Sequence, residues 1–147
     1  MNKTEIALDY FGKRYHCSQA VIAAYHEELG LTEEQALKLG SCFGSGMRKG
    51  EVCGACTGAL MVLGLKYGFT NSENSEERNK ANEVNDDFLN RFREENGSYI
   101  CNDLLGFDIS TTDGLKAVLD KGLFRTFCPR KVESAMKILE EIIKLHN

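Results

Sequence analysis

Glu51-Val-Cys53-Gly-Ala-Cys56-Thr-Gly58-Ala-Leu-Met-Val-Leu-Gly-Leu-Lys-Tyr67 is apolar on most faces, which predicts a buried central helix. Ahead of it runs Phe43-Gly-Ser-Gly-Met-Arg-Lys-Gly50, a loop with three glycines in the seven positions after the phenylalanine. Working outward, the rest of the chain also reads as helix. It holds one proline and few alternating β-branched runs. Thr4 to Tyr15 carries Ile6, Leu8, Tyr10 and Phe11. Ser18 to Glu28 turns Val21, Ile22, Ala24 and Tyr25 inward and stops at Gly30. Thr32-Glu-Glu-Gln35 matches a capping box and opens a helix that runs to about Cys42.

Downstream, Asn71 to Glu77 is polar and reads as a loop or a helix start. Ala81, Val84, Phe88 and Phe92 then advance by three and four, predicting a long amphipathic helix that stops at Gly97. Shorter helices are expected over Ser98–Leu105 and Thr112–Leu119. Cys128-Pro129 opens a last helix through Val132, Met136, Leu139 and Ile143, with proline tolerated in the first turn because its missing N–H has no partner to lose there. The expected class is all-α: one compact helical domain over residues 1–147, of about six to seven helices around the central one.

Net charge is -4 and the isoelectric point about 5.4, with basic residues scattered in pairs such as Arg48-Lys49 and Arg130-Lys131. No general attraction for nucleic acid or anionic lipid is expected. The start of the chain lacks the basic-then-apolar pattern of a signal peptide, and the longest apolar stretch, Ala59 to Leu65, is far short of the roughly 20 residues of a membrane span. These features predict a cytoplasmic protein. In that compartment thiols are normally reduced, so the six cysteines suggest metal binding, redox chemistry or plain burial before a disulfide framework.

Cys17, Cys53, Cys101 and Cys128 all fall at expected helix starts. Unpaired N–H groups and the positive end of the helix dipole favour a thiolate there, so lowered thiol pKa values and fast alkylation near neutral pH are expected. Cys42 falls near a helix end, where the dipole has the opposite effect. Cys53 and Cys56 form a CxxC pair on one helical face, able to close a disulfide or give two ligands to a metal. The βαβ context of a thioredoxin-like protein and the second close pair of a zinc ribbon are both missing. The N–H groups around Gly44, Gly46 and Gly50 are candidates to hold an anionic cofactor, with help from Arg48 or Lys49. The favoured reading is plainer: these glycines let the loop pass close to the core. His16, beside Cys17, could serve as base or ligand, but a surface histidine is the favoured reading. Phe88 and Phe92 read as core or subunit interface, and the apolar helix faces are compatible with a homodimer.

Cys53-Gly54-Ala55-Cys56-Thr57-Gly58 resembles the Cys-Gly-Ala-x-x-Gly signature of the small proteins with a proposed redox role named for the pattern C_GCAxxG_C_C. Cys17-Ser-Gln-Ala, the Phe43–Val52 run, Ala59-Leu-Met-Val-Leu-Gly-Leu, Cys101 and Cys128 fit in order around it. The resemblance implies four family-type cysteines, carried onto Cys17, Cys53, Cys101 and Cys128. Cys56 takes a variable position of the signature, and Cys42 also lies outside the four. The first expectation is thiol redox chemistry: Cys53 attacks, and Cys56, Cys17, Cys101 or Cys128 resolves, with an unnamed redox partner. The alternative is a four-thiolate site on the same four cysteines for zinc or an iron–sulfur cluster. A third reading is an interaction module with inert, buried cysteines.

Overall fold

The computed structural model describes residues 1–147 and is all-α. The helices are α1 Lys3–Gly12, α2 Cys17–Ala24, α3 Glu33–Gly40, α4 Gly54–Tyr67 and α5 Ser75–Asn96, followed by α6 Cys101–Leu105, α7 Thr112–Lys121, α8 Leu123–Thr126 and α9 Cys128–His146. The only sheet-like pairing is one antiparallel bridge, Val52 with Ile100. No helix is long and apolar enough to cross a membrane.

Local chemistry sets most boundaries. Thr32 accepts from the Gln35 N–H at 3.0 Å and the Gln35 side chain accepts from the Thr32 N–H at 2.9 Å, so the capping box forms as read. Gly97 ends α5 at φ 87°, and Asn74 caps its start by accepting from the Glu77 N–H. Nine helices stand where six to seven were expected. The one-turn α8 accounts for part of the excess: it fits between Gly122 at φ 65° and Pro129, and is too short to show a period.

The place of the buried central helix also needs correction. α4 is enclosed only as far as Leu63; Gly64 and Leu65 reach solvent, Leu65 by 52%. The enclosed helix is α2, where Ser18 and every residue from Ala20 to Ala24 are buried. Small side chains explain the exchange. Gly58 brings α4 so close to α2 that a Cβ there would stand 2.8 Å from the Ser18 carbonyl. Ser18 Oγ donates to the Gly40 carbonyl at 2.7 Å and Gln19 Nε2 to that of Leu37 at 2.9 Å, binding α2 to α3.

The main core gathers Ala7, Val21, Ala59, Val62, Phe88, Phe92, Val132 and Leu139 from five helices. Burying each large side chain contributes roughly 1.5–3 kcal/mol. Phe88 and Phe92 lie wholly inside this core. A second, smaller cluster holds Cys101, Leu105, Ile109 and Val118, with Phe127 and Cys128 packed against it. Cys53 belongs to the first cluster and Cys101 to the second, so the cysteines meet at the seam between them.

Candidate functional site

Four helix starts deliver the four cysteines. Cys17, Cys101 and Cys128 are the first residues of α2, α6 and α9, and Cys53 is the residue before α4. Cys128 stands one place later than the expected cap. The helical turn α8 runs almost directly into it, so it does not meet a free helix end. The bridge brings the backbones ahead of α4 and α6 together, with Cys53 opposite Tyr99 and Cys101 opposite Glu51. The Cys53 N–H donates to the Tyr99 carbonyl at 2.8 Å, and the Cys101 N–H to the Glu51 carbonyl at 2.6 Å.

All four line one cavity of about 290 Å³. Phe11, Leu104, Leu105, Phe124 and Phe127 supply most of its apolar wall. Inside, the Cys17 and Cys53 thiols lie close enough to shift each other's ionisation, and Cys56 acts on Cys53 from behind. The backbone N–H groups of Ser45 and Ser18 favour a thiolate at Cys17, and that of Ala55 favours one at Cys53. Gly54 has to be glycine here, because a Cβ would overlap the Cys17 sulfur and press on the Phe43 carbonyl.

The expected thiolates are not favoured. The neighbouring Cys53 thiol and burial together hold the Cys17 thiol well above the ordinary range, against the pull of the two N–H groups. At Cys53 the neighbouring Cys17 thiol works toward the thiolate, but Cys56 and burial overcome it, and this thiol is also raised. Burial pushes Cys101 up to about 12. Cys128 is likewise pushed to about 12, first by burial and then by Cys17 and Cys101, with Lys131 opposing. Burial in this seam outweighs what the helix starts offer a thiolate.

The glycine loop serves the cavity through Ser45. Ser45, Gly46, Met47 and Arg48 are successive left-handed residues, with φ of 56°, 60°, 57° and 63°. This turn lets the Ser45 N–H reach Cys17, and Ser45 itself lines the cavity. Gly44 packs on the His16 ring, Gly46 on the Glu51 backbone and Gly50 on the Asn102 side chain. None of these three glycines lines the cavity, whereas His16 does. Cys56 is fully buried in the main core, and Cys42 is exposed away from the cavity. No group of three or more Cys, His, Asp and Glu side chains is arranged to hold a metal ion. The residues that sequence reasoning left out are Arg14, Arg125 and Lys131 at the same cavity; isolated basic residues on separate elements carry no pattern that joins them.

The chain matches the family described as "Putative redox-active protein (C_GCAxxG_C_C)" over residues 15–142, a span that takes in all four cavity cysteines. It belongs to that family. No curated protein and no solved structure matches it.

Proposed function

We propose that this protein is a reducing dithiol carrier in which Cys17 and Cys53 cycle between thiols and a disulfide, with Cys101 and Cys128 as a second couple in the same cavity. The observation that carries the reading is that the Cys17 and Cys53 thiols converge closely enough to perturb each other, in a cavity that the other two cysteines share. Cys17 is the better first nucleophile. It is the less buried of the two, and two backbone N–H groups favour its thiolate.

The cycle is a two-step exchange with a disulfide substrate RS–SR′. The Cys17 sulfur attacks one substrate sulfur, the S–S bond breaks, and R′S leaves with the Cys17 proton as R′SH. The Cys53 sulfur then attacks Cys17 in the mixed disulfide; RS leaves with the Cys53 proton as RSH, and the Cys17–Cys53 bond closes. Two electrons pass to the substrate, and an external thiol pair returns them. A site that gives its thiolates little stabilisation lacks the feature that makes a dithiol pair strongly oxidising.

Trapping tests the order of attack. With Cys53→Ser, a small disulfide should leave a stable mixed disulfide on Cys17, seen by mass spectrometry of the intact protein and its peptides. A Cys17→Ser variant should trap far less. Equal trapping in both variants, or none on Cys17, would contradict the assignment.

A further inference from the structure

The charge around the cavity is one-sided. Arg14, Arg125 and Lys131 line it with His16, and no carboxylate does, although the chain as a whole carries a net charge of -4. Lys131 is partly engaged: its Nζ donates to Asn96 at 2.8 Å and lies 4.8 Å from the Phe127 ring centroid. Arg14 and Arg125 are exposed, and the ion pairs of the chain all involve other residues. Arg14 is also held at φ 76°, a conformation that a side chain other than glycine rarely takes. The starts of α2 and α4 add the positive ends of two helix dipoles. Beneath these cations the walls are aromatic and aliphatic, and about 290 Å³ is at the small end for a ligand cleft.

We infer that the cavity takes a small organic anion with an apolar, ring-sized body, its charge held by Arg14 and Arg125 and its body between the Phe11, Phe124 and Leu104 side chains. In the redox reading, on which only the chemical step rests, the substrate class is an anionic disulfide of low molecular weight. Fixed positive charge without a carboxylate attracts anions and repels cations. Within the cavity Lys131 already works in this sense on the Cys128 thiol.

Binding separates this inference from the redox reading. Reduced protein is titrated calorimetrically with naphthalenesulfonate, naphthalenemethanol and naphthylmethylammonium, which share one body and differ in charge. The sulfonate should bind about tenfold or more tightly than the alcohol, with the ammonium weakest, and its advantage should shrink as salt rises. An Arg14→Asn/Arg125→Gln double variant should lose most of that advantage while holding the alcohol unchanged; asparagine tolerates the left-handed backbone at position 14. Equal binding of all three compounds would overturn the inference, and a sulfonate preference that survives in the double variant would overturn the role of these arginines. A second arm follows oxidation by the dianionic dithiobis(nitrobenzoate) and by neutral dithiodipyridine. The double variant should slow the first about tenfold relative to the second. Selective sulfonate binding without a Cys17–Cys53 disulfide would sink the redox reading alone, and disulfide formation indifferent to ligand charge would sink the anion inference alone.

Discussion

At Gly54 a side chain has nowhere to go, since its Cβ would sit on the Cys17 sulfur. Gly54→Ala must therefore push α4 away or turn the Cys17 side chain from its place beside Cys53. Overpacking of this kind costs about 1–3 kcal/mol. The denaturation midpoint should fall accordingly, and closure of the Cys17–Cys53 disulfide, followed by mass spectrometry, should slow. Cys56 makes the opposite case: it is buried beyond the cavity, so Cys56→Ala should preserve that disulfide despite the CxxC spacing. The thiols also give a pH dependence. Cys101 and Cys128 are raised to about 12, whereas unfolded thiols ionise near 8.5. Below about 8.5 both states hold these protons; above it the unfolded chain loses them first, so stability falls as pH rises toward the folded values. Denaturant midpoints at neutral and alkaline pH should show this loss, and Cys101→Ala/Cys128→Ala should reduce it. An equal loss in the double variant would show that other groups carry it.

Among the elements, the left-handed turn at Ser45–Arg48 is the part most exposed to a single change. Gly46 holds φ 60°, and a Cβ there would lie 2.7 Å from the Glu51 carbonyl oxygen. Gly46→Ala combines that clash with a backbone cost of about 1–2 kcal/mol. It should destabilise the protein and, by drawing the Ser45 N–H from Cys17, change the alkylation rate of Cys17 more than that of Cys128. Unchanged alkylation would mean that the loop does not govern the thiol. The elements were legible where a local signal marks them: the Thr32 box, the Gly97 stop, and the breaks that place Cys17 and Cys101 at helix starts. The turn was visible only as a run of glycines. Its hand depends on Gly46 packing against the Glu51 backbone, and Ser45, Met47 and Arg48 share its left-handed conformation without being glycine.

Across the whole molecule, the site is a seam between a large core and a small one, and its parts come from α2, α4, α6 and α9. Reading the sequence found all four cysteines, because each marks the start of a helix and together they carry the family pattern. It missed what distance along the chain conceals: the Val52–Ile100 bridge that joins the segments ahead of α4 and α6, and the arginines from α8 and the α1–α2 connection. It also reversed the sign of the thiol shifts, since helix dipoles can be read locally and desolvation cannot. Equilibrium titration in defined thiol–disulfide buffers, with the linked cysteines mapped at each potential, tests the central claim most directly. The account predicts one two-electron couple whose oxidised product joins Cys17 to Cys53. An oxidised protein in which Cys17 and Cys53 remain free thiols would contradict it.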